Sequence, residues 1–227
     1  MDDQPKSLPA SQPGGQPLKP LTQILLQRRA TSHFEPDDVP QEYLDAMLKL
    51  AAQAPSGYNL QPWRFIVVRD AENRKRLQAA AFGQPKVAEA PVVVIAIGMK
   101  EEWKARADEV FQEGPKRGFG KPENTQKYME GALGFLSTLP MDVWVNRHTM
   151  IAFTTLMLAA EAYGFDTAPM EGFDAAAVKR EFAIPAEAEV VALLAIGKAK
   201  PPDKPYGGRF ELSRIVFAEK YGEGWKA

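Results

Sequence analysis

Cysteine is absent from the 227-residue chain, and histidine occurs only twice, as His33 and His148. The first absence excludes disulfides, zinc–thiolate and iron–sulfur centres, and thiol nucleophiles. The second leaves too few imidazoles for most histidine-rich metal sites, so no metal is expected. Neither charge is in excess: 28 lysines and arginines against 29 acidic residues give −1. A nucleic-acid partner would call for a basic surplus that is not there. Long hydrophobic runs are missing too. The longest, Pro91–Gly98 and Thr149–Ala160, are too short to span a bilayer, so no membrane partner is expected.

Several catalytic signatures are also lacking. No G-x-G-x-x-G follows a strand; Gly114, Gly118 and Gly120 have the wrong spacing and context. There is no P-loop lysine, no G-x-S-x-G elbow for a serine hydrolase, and no pair of carboxylates set apart for glycoside chemistry.

The first twenty residues hold five prolines and lack the continuous apolar stretch of a secretory signal. The expectation is a flexible, disordered tail over 1–20 with no catalytic part, one domain over 21–227, and a cytoplasmic location. Periodicity then predicts helices over Leu21–Ala30 and Val39–Gln53, the latter stopping at Pro55-Ser56-Gly57. Trp63–Val68 reads as a strand, Glu72–Ala81 as a charged helix, and Pro91–Gly98 as a strand covered on both faces. Glu101–Phe111 and Glu123–Leu136 read as helices flanking a mobile loop, GPKRGFGKP, of the kind that covers a site. Met141–Tyr163 is a helix whose second half is apolar nearly all round, which demands burial on every side, in the domain centre or at a subunit interface. Ala188–Gly197 is a late strand, and Lys198–Ala227 looks extended, suited to lying across a partner. Helices and strands mix without strict alternation, so the class is α+β.

Three stretches carry potential chemistry. In Gln27-Arg28-Arg29-Ala30-Thr31-Ser32, two arginines at a helix end followed by hydroxyls can grip a phosphate, or simply serve as cations at a helix C-terminus. Pro55-Ser56-Gly57-Tyr58-Asn59-Leu60-Gln61-Pro62-Trp63 combines a tight turn with amides, which suits close approach to a ligand or a polar connector. In Met170-Glu171-Gly172-Phe173-Asp174, backbone N–H groups before a helix can serve a ring edge or anion, or Asp174 is an ordinary N-cap. His33 and His148 read as surface or interface residues. Trp144 and Phe153 read as core or interface, and Trp103, Phe111 and Phe119 as lid aromatics or packing.

In combination, PSGYNLQPWRF and GFDTAPMEGFD, with the early arginines and a late Arg209, resemble the nitroreductase family of FMN enzymes over Leu21 to Phe217. The resemblance implies an α+β nitroreductase-like fold, a mostly antiparallel central sheet surrounded by helices, and an intertwined homodimer with FMN at the subunit interface. It further implies NAD(P)H as co-substrate and hydride transfer by a ping-pong route to nitroaromatics, quinones or enals. Arg28, Arg29, Ser32 and Arg209 would hold the FMN phosphate and ribityl chain. Ala30 stands where the family usually has serine and Ser32 where it has a basic residue, which weakens the phosphate grip; the basic residue the family often carries near Gly207 is absent, so Arg28 and Arg209 would carry more of the charge. Pro55, Ser56 and Gly57 of the other subunit would lie against the ring, with Asn59 orienting that turn. Lys86, in the Gln84–Lys86 stretch, would serve the pyrimidine edge. Met170, Glu171 and Gly172 would face flavin N5, the Glu171 main chain mattering more than its carboxylate. The alternatives are a flavin carrier or sensor without turnover, or a relative with other flavin chemistry such as dehalogenation or flavin degradation.

Overall fold

The computed structural model describes residues 8–118, 121–202 and 204–225. Four strands form one sheet in the order β1-β2-β4-β3, where β1 is Trp63–Val68, β2 Val92–Gly98, β3 Asp166–Met170 and β4 Glu189–Gly197. All three pairings are antiparallel. Strand β2 is buried at all seven positions and β4 at all but its first. That is the continuously apolar pattern of strands covered on both faces.

Helices cover both faces. On one face lie α2 (Gln41–Ala51) and α7 (Met141–Ala162), and Leu44, Met47, Phe153, Leu156 and Tyr163 pack onto Val92, Val94 and Leu194. On the other, α3 (Ala71–Ala80), α4 (Pro85–Glu89) and α8 (Ala175–Glu181) close over Val93, Ile95 and Leu193. A third cluster, outside the sheet, joins α5 (Glu102–Lys116), α6 (Thr125–Leu136) and the start of α7 through Trp103, Phe111, Met129, Leu136 and Trp144. The α+β class expected from the residues and the antiparallel sheet implied by the resemblance are both observed.

The differences are instructive. Helix α5 continues through Pro115 to Lys116, over the start of the expected loop. Phe119 lies outside the described residues. Trp103 and Phe111 are buried, which is the packing role. Within the first twenty residues, expected as a tail, the described part from Leu8 lies along the domain. Leu8 packs on the α2–α7 cluster, and the Lys19 N–H donates to the Ala162 carbonyl at 3.1 Å, satisfying an orphan acceptor at the end of α7. Helix α7 itself is not buried on every side within one chain: Ile151 is 41% exposed. No helix among the described residues is long and apolar enough to cross a membrane.

Candidate functional site

Strand β3 is an edge strand, and Pro169 reveals how it is oriented. Proline has no N–H to give a ladder, so on an edge it sits where that group would face outward. Residues 167 and 169 therefore turn their backbone polar groups to the open side. The Thr31 N–H confirms the phase by donating to the Thr167 carbonyl from outside at 3.0 Å, with Ala30 bridging Thr167 in parallel. Glu171 follows directly on Met170, the last residue of β3. No described acceptor receives either the Glu171 or the Gly172 N–H. At about 3.3 Å per residue, Thr167 and Glu171 stand ~13 Å apart along this edge.

The arginines occupy the Thr167 end. Helix α1 (Leu21–Gln27) stops at Arg28, whose ψ of 132° leaves the helical region. One terminal nitrogen of Arg28, Nη1, is buried without a hydrogen-bond partner among the described residues. Arg29 is committed differently: its Nη1 donates to the carbonyls of Leu26 at 2.9 Å and Arg28 at 2.8 Å. Its guanidinium also lies 4.1 Å from the ring of Tyr206. The helix-cation reading thus describes Arg29, and the free donor belongs to Arg28. Ser32 is half-buried beside the buried Thr31.

Beneath the arginines lies an acid that the sequence patterning does not reveal. Glu161 on α7 is only 4% exposed and accepts from Thr167 Oγ1 at 2.7 Å. Burial pushes its carboxyl up to about 7; Asp166 adds to the rise, while the Thr167 hydroxyl, Lys19 and Arg28 oppose it.

At the Glu171 end, Gln84 Nε2 donates to the Gly172 carbonyl at 2.7 Å, and the Asp174 N–H donates to the Ala80 carbonyl at 2.8 Å. Asp174 then caps α8, its carboxylate accepting from Ala176 and Ala177. The Met170 side chain is buried in the core, so only its main chain is available to a ligand. Helix α4 joins the two ends: Gln84 precedes it, and Glu89 near its end bonds His33 Nδ1 and the Phe34 N–H. Lys86 on α4 has its pKa lowered, by burial first and then by the charge of Lys204. The segment after β4 therefore passes this edge, bringing Lys204 towards Lys86 and Tyr206 to Arg29. Arg209 is exposed and lies 5.6 Å from the same Tyr206 ring.

The turn at Pro55-Ser56-Gly57 is elsewhere. It precedes β1, the opposite edge strand, which stands three inter-strand spacings, ~14 Å, from β3. Ser56 Oγ accepts from the Gln61 N–H at 2.9 Å, and Gln61 Nε2 donates to the Asn59 carbonyl at 3.1 Å. Tyr58, Asn59 and Gln61 all have positive φ, a strained backbone of the kind that persists where a site needs it. Gly57 sits at a close approach: a Cβ there would lie 3.3 Å from both Trp144 and His148, so one of those side chains would have to give way. His148 Nδ1 meets the Trp144 carbonyl at 2.7 Å, and the two rings are 4.4 Å apart. Tyr58, not singled out from the sequence, ties the turn to α5 and α6 through Phe111 and Tyr128.

The chain thus gathers Arg28, Arg29, Ser32, Lys86, Met170, Glu171, Gly172 and Arg209 around one sheet edge. It leaves Pro55, Ser56, Gly57 and Asn59 at the other. Among the described residues no group of three acidic or imidazole side chains is arranged to hold a metal.

Comparison with known proteins gives a consistent picture. The family model described as "Nitroreductase family" matches residues 25–198. A protein of Thermus thermophilus named NADH dehydrogenase is 36% identical over 193 residues, 84% of this chain and 92% of its own. MhqN of Bacillus subtilis, provisionally named an NAD(P)H nitroreductase, is 32% identical over 86% of this chain and 97% of its own. A protein of Exiguobacterium sibiricum solved in complex with FMN superimposes with a TM-score of 0.81 at 24% identity, covering 88% of this chain and 98% of that one.

Proposed function

The chain belongs to the nitroreductase family, and from that premise we propose that it is an FMN-dependent oxidoreductase carrying hydride from NAD(P)H to small electrophilic acceptors. The observation that carries this reading is the β3 edge. It offers a half-buried cation with a buried nitrogen that has no described partner at one end, and the Glu171 and Gly172 N–H groups, which have no described acceptor, ~13 Å along it at the other. That separation suits a ligand with an anionic tail and a ring. A lone ion would use one end only.

Arg28 would hold the phosphate, helped by Arg209 and Ser32. The Glu171 and Gly172 N–H groups would meet the ring at N5, with Gln84 fixing the Gly172 peptide. Lys86 would face the pyrimidine edge, where positive charge favours the reduced, anionic ring. Bound flavin supplies the hydride chemistry, so this chain needs no acid–base dyad. One ring face is left for NAD(P)H and then the acceptor in turn, a ping-pong order. Nitroaromatics, quinones and enals are the acceptor classes.

The turn at Pro55-Ser56-Gly57 reaches this slot only from a second copy, because its own copy holds it at the far edge. A homodimer with two interfacial sites follows. The apolar surface that one chain leaves uncovered supports it: Leu25 and Leu26 of α1, Ile151 of α7, and Phe210, Leu212 and Ile215 of the C-terminal segment are all exposed. Residues 21–227 form the functional domain in this reading. The purified protein supplied with FMN should turn yellow, and NADPH should bleach it within seconds. A protein that stays colourless, or binds flavin without being reduced, would refute the enzymatic claim; the second result would leave a carrier or sensor.

A further inference from the structure

The segment from Pro205 to Ile215 is exposed throughout, yet it meets the arginine edge at one defined place. The Tyr206 ring lies 4.1 Å from the Arg29 guanidinium and 5.6 Å from that of Arg209. Arg29 is fixed from behind, because its Nη1 binds the Leu26 and Arg28 carbonyls left over at the end of α1. Arg209 Nη1 donates to the Gly208 carbonyl at 2.6 Å, and Gly208 has a φ of +80°, which turns the chain back so that residue 209 reaches the ring of residue 206. Two guanidinium groups repel each other, and one aromatic ring attracts both. The arrangement is an anchored cation, a ring stacked on it, and a second cation on the same ring.

We propose that Tyr206 is a positioning residue for the anion site: stacked on Arg29, it pins the C-terminal segment and sets Arg209 at the arginine edge next to Arg28. Arg29 then acts as the anchor, and the phosphate is held by Arg28 and Arg209. This rests on the reading that FMN phosphate occupies the site, and it adds a residue and a division of labour to it. Without the ring, Arg209 belongs to an exposed strand-less segment and loses its pre-organisation, so each phosphate contact costs more conformational entropy.

The test compares FMN affinity, by quenching of flavin fluorescence, in the wild type, R209A, Y206A, Y206F and the Y206A/R209A double variant. Hydrogen exchange over residues 204–216 is measured in the same proteins without FMN. Y206A should weaken binding about two- to five-fold, the range an exposed cation–π stack supports, and Y206F should restore it. The double variant should be no weaker than R209A, because Tyr206 acts through Arg209. Exchange over 204–216 should quicken in Y206A with no flavin present. Unchanged exchange in Y206A, or effects of Y206A and R209A that multiply, would overturn the proposal. If R209A binds FMN like the wild type, the phosphate role of Arg209 falls, while exchange still decides whether Tyr206 anchors the segment. Should Y206A fail to fold, R29K, which keeps the charge and loses the planar stack, carries the same comparison.

Discussion

Gln84 Nε2 donates to the Gly172 carbonyl at 2.7 Å across 88 positions of sequence. This bond fixes the peptide that follows the Glu171 and Gly172 N–H groups, neither of which has a described acceptor. Gln84→Ala should therefore leave the fold intact and loosen the ring end of the site. A neutral hydrogen bond is worth about 0.5–1.5 kcal/mol, so FMN affinity should fall roughly two- to ten-fold by titration. Equal affinity in the variant would show that the Gly172 peptide needs no such support.

Arg28 has a buried nitrogen with no partner among the described residues, so removing the side chain should cost ligand binding more than stability. Arg28→Ala should weaken FMN by about 1.5–3 kcal/mol, the worth of a charge-assisted bond, with little change in melting temperature of the flavin-free protein. Riboflavin, which lacks the phosphate, is the control and should bind both proteins alike. If riboflavin weakens as much as FMN, Arg28 is structural.

Glu161 gives a pH dependence with a defined sign. Its carboxyl stands at about 7 in the folded chain against an ordinary 4.5. The folded state thus keeps a proton that the unfolded chain has already released. Stability is full below about 4.5 and is lost as pH rises towards about 7. Glu161→Gln keeps an acceptor for Thr167 Oγ1 and has nothing to titrate. The unfolding free energy from urea titrations between pH 5 and pH 8 should then vary less in the variant, by on the order of 2 kcal/mol. Parallel curves would contradict the burial argument.

Much of this was legible in the residues. Trp63–Val68 agrees with its expected bounds, and Val92–Gly98 and Glu189–Gly197 each begin one residue later than expected, because a β-branched, continuously apolar run has few other uses. Asp174 caps α8 as its position suggested. What escaped depends on contacts distant in sequence. The pairing of Gln84 with Gly172 carries no local signal. Glu161 sits in a helix whose neighbours are apolar, and only the fold shows that its carboxyl is enclosed. Arg28 and Arg29 are adjacent and chemically identical, yet the end of α1 consumes one and spares the other. Tyr206 gained meaning only once Arg29 was seen beneath it. The extension of α5 through Pro115 ran against the usual punctuation, since proline and glycine there read as a loop.

Gly57→Ala places a methyl 3.3 Å from Trp144 and His148. The crowding should lower stability by about 1–3 kcal/mol, read as a fall in melting temperature. His148→Ala in the same chain should recover part of that loss. A double variant no better than Gly57→Ala would mean that the ring of His148 is not the obstacle.

The central claim is that each site joins the β3 edge of one copy to the Pro55-Ser56-Gly57 turn of another. Two defective variants test it: Arg28→Ala with Arg209→Ala on the β3 side, and Pro55→Trp, which obstructs the slot from the exposed turn. Each alone should lose FMN. After co-expression in equal amounts, half of the dimers are mixed, and each mixed dimer has one site with both halves sound. About a quarter of the wild-type flavin per chain should therefore return. If each site lay within one chain, the mixture would hold no more flavin than the two variants apart, and that result would contradict the account.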